Sequence, residues 1–496
     1  MKIFSEPREE TPRFPARLIP LSWREGQLVP QMTPAVMHEK AEQITILHIN
    51  DLHASVDGRP DEVGEMRGGL ARVATTVRRA RAAGPTLVFD LGDIVFGDGT
   101  WWNIQGVEAV AILRGKAGCD LATLGNHDLE HGIAGLRELL AGGYPLVSAN
   151  VQVADEQVKR HIHPAYLIEI GGWRIGVTGL TTLATYDLIP RRILQGITFA
   201  EPRQAMLQVV AALEPMVDSI VILSHLGFYE NGPGDPDLAA HLIGSKASVI
   251  LGSHTHVALD PARIMHGITL CNAGPYTANV GEVILSEREQ GTIDVQTRLI
   301  PQDETILPDP LWLVTRNQLV QTFQPLHETI FPLLNLPTPA GTPFDRVREW
   351  TLLARALRIT GSPAAILMVP SLYVTGQLPV AEHATLAEIM TTYPNIEQLI
   401  AIEISGKTLK EIIMLQPKLL YYQKTRPLRI SDESELYAEQ VEEQGSYTII
   451  TTELICEGGL GWGLTPAAQL SAARSLGITC LQAVHSYLTT RQEPIA

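Results

Sequence analysis

Seven residues of metal-ligand type stand in five short segments, each at the end of an apolar run. Asp51 and His53 follow Ile44–Ile49, and Asp93 follows Thr86–Leu91. Asn126 follows Leu121–Leu124 and is trailed by His127 and Asp128. His225 closes Ile220–Ser224, and His254 and His256 follow Ser248–Ser253. Carboxylate, imidazole and amide donors suit Mn, Zn or Fe rather than soft metals. Two divalent ions bring four positive charges and the two aspartates remove two, so a surplus of two remains to bind a phosphate dianion. Ions ~3.5–4 Å apart can activate a water and clamp both the attacking and the leaving oxygen. The chemistry implied is two-metal hydrolysis.

Taken singly, each segment has a plainer reading. Asp51-Leu52-His53 is a strand end with a helix cap, Gly92-Asp93 a turn, and His225 a hydrogen-bonded core histidine. Five such segments in one chain favour a ligand cluster. Elements must then deliver them. Residues i and i+2 of a strand share a face, which would let Asp51 and His53 grip one ion. Open α/β sheets place sites at the carboxyl ends of their strands, so the five ends are expected to converge on one edge.

In order, the segments resemble the signature of the calcineurin-like metallophosphatases, and within them the 5'-nucleotidase family: D-x-H, G-D, G-N-H-[DE], a lone H, and G-H-x-H. Ser253 stands where that signature has glycine. The resemblance implies that Asp51, His53 and His256 hold a first metal, that Asn126, His225 and His254 hold a second, and that Asp93 bridges them. Asn126 would also face the substrate. His127 would stabilise charge on phosphate, oriented by an acid three positions on, here Glu130 in place of the family's Asp. It implies two face-to-face sheets with helices outside, a four-layer αββα sandwich, followed by a smaller α/β domain. The implied activity is hydrolysis of nucleoside 5'-monophosphates or related small phosphoesters by metal-activated water. A phosphodiesterase, a sulfur-ester hydrolase and a non-catalytic metal-binding relative stay open.

In that family the second domain stacks the base between two aromatic rings and holds phosphate with arginines. Here Gly458-Gly459-Leu460-Gly461-Trp462 keeps one ring but puts Leu460 where an acid is usual. Pro394-Asn395-Ile396-Glu397 lacks the second ring, leaving Tyr393 as its substitute, and Pro370–Gly376 carries no arginine. One stacked ring contributes roughly 1–3 kcal/mol per base. Trp462 either stacks a base or packs in the core.

Alternating strand and helix patterns argue α/β. The chain divides as an N-terminal extension over 1–43, a metallophosphatase domain over 44–300, a linker with a helix over 301–335, and a second domain over 336–496. The extension is expected to drape over a domain, and a helix is expected from Leu311 to about Leu334, interrupted by Pro325 and Pro332. The 496 residues are 45% hydrophobic and 19% charged, with a net charge of −16. That sign disfavours a nucleic-acid polymer as partner but not a small anionic substrate, because bound ions set the local sign. Met1–Glu10 has no apolar h-region, and no stretch has transmembrane length. Cys119, Cys271, Cys456 and Cys480 are widely spaced and read as reduced thiols, so a cytoplasmic protein without membrane contact is expected.

Overall fold

The computed structural model describes residues 14–35, 40–61, 64–97, 101, 105–288, 292–333, 336, 347–359, 366–367, 374, 378–379, 382–393, 397–419, 428–430, 435–436, 438–457 and 473–490. The chain forms two compact units. One comprises Met1–Phe96, Val107–Leu183 and Leu194–Asn317; the other comprises Gly97–Gly106, Ala184–Ile193 and Gln318–Ala496.

Two sheets make the first unit. The seven-stranded sheet runs, edge to edge, Ile162–His163, Leu146–Val147, Leu121–Ala122, Thr86–Asp90, Gln43–Ile49, Asn279–Glu287 and Ile293–Pro301. The eight-stranded sheet runs Arg263–Met265, Ile268–Cys271, Ala247–Gly252, Ser219–His225, Trp173–Thr181, Ala165–Ile170, Arg17–Arg24 and Gln27–Pro30. Strand alternation sends Ile44, Ile46, Leu87 and Phe89 of the first sheet against Val177, Val221, Leu223 and Leu251 of the second, forming a shared buried core. On the outer face of the eight-stranded sheet, Met206, Val209 and Leu213 of helix Pro202–Leu213 pack on Ile220, Ile222 and Ile250. Helix Leu70–Ala83 buries Leu70, Val73 and Val77. Burial on both faces explains why the central strands read as continuous apolar runs.

Residues 17–30 of the N-terminal extension are not a draped arm. Arg17–Arg24 and Gln27–Pro30 form a hairpin that pairs antiparallel with Ala165–Ile170 at the edge of the eight-stranded sheet. Its two-residue turn, Glu25-Gly26, has φ of 50° and 79°, the left-handed pair that a tight hairpin needs. Ile19 and Leu21 fix the register by entering the core. The helix expected from Leu311 to about Leu334 also ends early. Helices span Pro310–Gln321 and Gln324–Glu328, after which Ile330–Pro332 is a strand paired with His383–Thr385. Phe331 in that strand is buried, and cross-strand pairing overrides the helical pattern there.

In the second unit a six-stranded sheet has the order Glu435–Leu436, Leu428–Ile430, Ile366–Leu367, Ser446–Thr452, Leu399–Ser405 and Arg474–Ser475. Strand Leu399–Ser405 passes directly into helix Gly406–Leu419, and the Ser405 hydroxyl accepts the Thr408 N–H at 3.1 Å. Among the described residues no helix is long and apolar enough to cross a membrane.

A buried ion pair ties the first unit's helix Gly106–Lys116 to the strand end nearest Asp93. Arg114 Nε donates to Asp90 Oδ2 at 2.6 Å, while Asp90 Oδ1 accepts the Gly92 N–H at 2.9 Å. Both side chains are fully buried, so removing one partner strands a charge. Arg114→Ala is expected to lose about 3–5 kcal/mol of unfolding free energy in urea; a loss under about 1 kcal/mol would contradict this role.

Candidate metal centre

Strand Gln43–Ile49 stops at Ile49, so Asp51 and His53 do not share a strand face. They lie in a loop, with φ of 50° and 46°. Asp93, His254 and His256 are likewise left-handed, with φ of 54°, 73° and 57°. Asp and His tolerate this region better than most residues, but each such residue stores strain of order 1–3 kcal/mol. Backbone bonds hold the loop against it. The N–H groups of Asp51, His53 and Ala54 donate to Gly92 O, Asp93 O and Ile94 O at 3.1, 2.9 and 2.8 Å.

Nor do the five segments share one sheet edge. Asp51, His53, Asp93 and Asn126 follow strands of the seven-stranded sheet; His225, His254 and His256 come from the eight-stranded one. The centre sits where the carboxyl ends of the two sheets face each other. Glycine permits the closest approach: a Cβ on Gly92 would lie 2.1 Å from Gly125 N, and one on Gly125 would lie 2.1 Å from Asp93 Oδ1. Asp128 then clamps the two loops, accepting the N–H groups of Asp93, Ile94 and Gly125 at 2.9, 2.9 and 2.8 Å.

Three groups of donor atoms result, each lying within 4.8 Å of one another: Asp51, His53 and His256; His53, Asp93 and His127; and Asp93, His225 and His254. His53 Nδ1–H donates to Phe96 O at 2.8 Å and His225 Nδ1–H to Leu91 O at 2.7 Å. Carbonyls only accept, so both rings turn Nε2 lone pairs inward. His225 Nε2 lies 3.1 Å from Asp93 Oδ2, and His53 Nε2 lies 2.8 Å from His256 Nε2. Lone pairs this close repel unless a proton or a metal ion intervenes. Asn126 is fully buried, and among the described residues neither its Oδ1 nor its Nδ2 has a hydrogen-bond partner. An orphaned amide beside converging lone pairs fits an ion-binding site. Asp51, His53, His256 and Asp93 could hold one ion, and Asp93, Asn126, His225 and His254 a second.

The electrostatics state the same demand. Burial depresses His225, yet the carboxylates of Asp93 and Asp51 and the Leu91 carbonyl lift it to about 10. Burial would raise Asp93, but His225, His127 and His53 hold it well below the carboxylate range. Burial lowers His254 to about 3 and puts His53 well below its ordinary value. Without an ion, the positive charge that Asp93 draws in is the His225 imidazolium, while burial keeps His53, His254 and His256 neutral, the state a ligand histidine requires.

His127 stands at the edge, half-buried. Its Nδ1–H donates to Glu130 Oε1 at 2.8 Å, and Phe96 stacks on the ring at 4.5 Å between centroids. Burial lowers its pKa, but Asp93 and Glu130 outweigh burial and raise it. Tyr393 does not take the place of the second ring: it is fully buried in the second unit's core and its hydroxyl donates to Glu349 O at 2.7 Å, leaving no face for a base. Trp462, with Gly458–Gly461, lies outside the described residues, as do 370–373, 375–376 and 394–396.

Other contributors carry no strong sequence signal. Asn50 Nδ2 donates to Asp51 Oδ2 at 2.7 Å and to Asn272 Oδ1 at 3.1 Å; only its place next to Asp51 hinted at this. Tyr276, at φ 62°, sets its ring 5.8 Å from His53 and 5.6 Å from His256, and the Arg59 guanidinium lies 4.0 Å above it. Topology, not spacing, brings that pair to the site.

Residues 44–258 match the calcineurin-like phosphoesterase family model, a family of hydrolases. A 5'-nucleotidase-related protein of Glossina morsitans morsitans is 32% identical over 234 residues, 44% of this chain and 40% of that protein. The 5'-nucleotidase of Vibrio cholerae is 31% identical over 234 residues, 44% of this chain and 41% of its own length. The chain thus spans about two fifths of the curated relatives it matches. A 5'-nucleotidase precursor from Thermus thermophilus shares the fold with a TM-score of 0.71 at 19% identity, covering 90% of this chain and 96% of that one. The sulfate thiohydrolase SoxB of the same organism shares it at 0.61 and 15% identity, covering 92% and 96%.

Because Asp93 lies in two of the donor groups, Asp93→Ala is expected to lose both ions if two bind, whereas His225→Ala is expected to lose one. Metal counted by atomic absorption after dialysis checks this; retention of both ions by Asp93→Ala would overturn the shared-ligand geometry.

Proposed function

We propose that this chain, whose residues 44–258 carry a calcineurin-like phosphoesterase domain, is a dinuclear-metal-dependent phosphomonoesterase acting on nucleoside 5'-monophosphates or related small phosphoesters. The observation that carries the reading is Asp93 lying within reach of two donor groups, with His127 at their margin. When bound, two divalent ions, Mn, Zn or Fe, supply Lewis acidity toward the phosphoryl oxygens and acidify a water nucleophile.

The protein's own residues do the rest. Glu130 takes the Nδ1–H of His127 and Phe96 fixes the ring plane, so Nε2 is the free end. The Glu130 carboxylate against Nδ1 favours the imidazolium form of His127, which would donate from Nε2 toward charge developing on phosphate or on the leaving oxygen. Tyr276 adds a ring beside His53 and His256, and Arg59 a cation over that ring, a lining suited to an anionic substrate. Trp462 is the remaining candidate to stack a base. Four free thiols, three of them buried, suit a reducing compartment, and we place the enzyme in the cytoplasm.

The test is turnover of an aryl phosphate, an aryl diester and a nucleoside-monophosphate panel, before and after chelation and Mn²⁺ restoration. Metal-dependent monoester hydrolysis with nucleotides preferred is expected; Mn²⁺-replete protein that hydrolyses no monoester would sink the proposal. His127→Ala is expected to lower kcat about 10²–10⁴-fold with both ions retained. Loss of metal in that variant would reassign His127 as a ligand.

A further inference from the structure

We infer that the Ser253 hydroxyl is a positioning group for His225 and, through it, sets the affinity of the ion position formed by Asp93, His225 and His254; this rests on the dinuclear reading above. Ser253 follows strand Ala247–Gly252 and is completely buried. Its Oγ lies 2.8 Å from His225 Nδ1, 2.9 Å from Ser224 O and 3.0 Å from Leu91 O. Leu91 O is also 2.7 Å from His225 Nδ1.

The donor inventory settles the roles. A hydroxyl has one hydrogen and two lone pairs, and carbonyls only accept. The Ser253 hydrogen therefore goes to Ser224 O or Leu91 O, and its oxygen accepts from His225 Nδ1–H, which it shares with Leu91 O. Two acceptors on one N–H fix the tautomer and make Nε2 a better electron donor. They also pin the ring plane that aims Nε2 at Asp93.

The same oxygen joins three of the four stretches that deliver this position's ligands, all but that of Asn126. Leu91 lies two residues before Asp93, Ser224 precedes His225, and Ser253 itself precedes His254. By contrast, the side chains of the other position take no bond from the Ser253 hydroxyl: Asp51 is held by Asn50 and by the His254 N–H, and His53 by Phe96 O. Glycine, the residue of the resembled motif, would supply no such hydroxyl. Ser253 is therefore a device of this chain that should act on one ion position and not on the other.

The experiment titrates metal-free wild type, Ser253→Ala and Ser253→Gly with Co²⁺, following heat by calorimetry and the visible ligand-field bands. Ala removes only the hydroxyl, and Ser253 is not among the left-handed residues, so the backbone tolerates it. Both variants are expected to weaken one of the two sites about 10-fold, to alter only that site's band, and to leave the other affinity unchanged. Unchanged affinities in Ser253→Ala would overturn the inference. So would equal weakening at both sites, or weakening in Ser253→Gly alone, since those outcomes mean packing rather than hydrogen bonding. Wild type that takes up fewer than two Co²⁺ fails the dinuclear reading itself, before any variant is compared.

Discussion

Buried oxygen and nitrogen lone pairs that face one another at 3 Å need a positive charge between them. Asp51 and Asp93 are both sealed from solvent, where an uncompensated carboxylate costs several kcal/mol. Around them, His53 and His225 spend their Nδ1–H groups on backbone carbonyls and so cannot supply that charge from Nε2 while neutral. The remainder of the site answers this requirement. Tautomers, loop conformations and the orphaned Asn126 amide all become consistent once cations occupy the centre, and none of them is economical without one.

Holding such a centre needs a frame stiffer than its loops. The frame is the shared core of two sheets, with helices on the outer faces, and the loops are strained segments bolted across its end. Left-handed backbone at five candidate ligand residues would relax if those segments were free. Three bonds donated by the Asp51 loop to carbonyls of the Asp93 loop, and the Asp128 carboxylate that gathers three N–H groups, over-determine the geometry. Strain of this kind gathers where function demands a fixed arrangement. Ligands drawn from two sheets also make the site sensitive to how the sheets pack, which links the apolar core to the chemistry.

Much of the site was legible in the sequence because ligand type and order are local properties. Asp51, His53, Asp93, Asn126, His127, His225, His254 and His256 all reach one region, and Glu130 meets His127 at the expected spacing. The route was less legible. Pleat alternation does not place Asp51 and His53, because the strand ends two residues early and positive φ takes over. A single sheet edge was the wrong frame, since strand runs do not announce which sheet they join. The N-terminal hairpin was hidden because its apolar residues alternate weakly and the turn signal is only Glu25-Gly26. Tyr393 looked available from its neighbours in sequence, but the core of the second unit claims the ring. Phe96 follows Asp93 by three residues in the same loop, whereas Tyr276 comes to the site through tertiary contacts.

A fold shared with nucleotidases and with a sulfate thiohydrolase cannot choose the substrate, because function resides in the site. The central claim is the pair of ions bridged by Asp93, and the most direct measurement is anomalous diffraction from a crystal loaded with Mn²⁺. The account expects two peaks ~3.5–4 Å apart, both within bonding distance of the Asp93 carboxylate. A single peak, or two peaks that do not share Asp93, would contradict it.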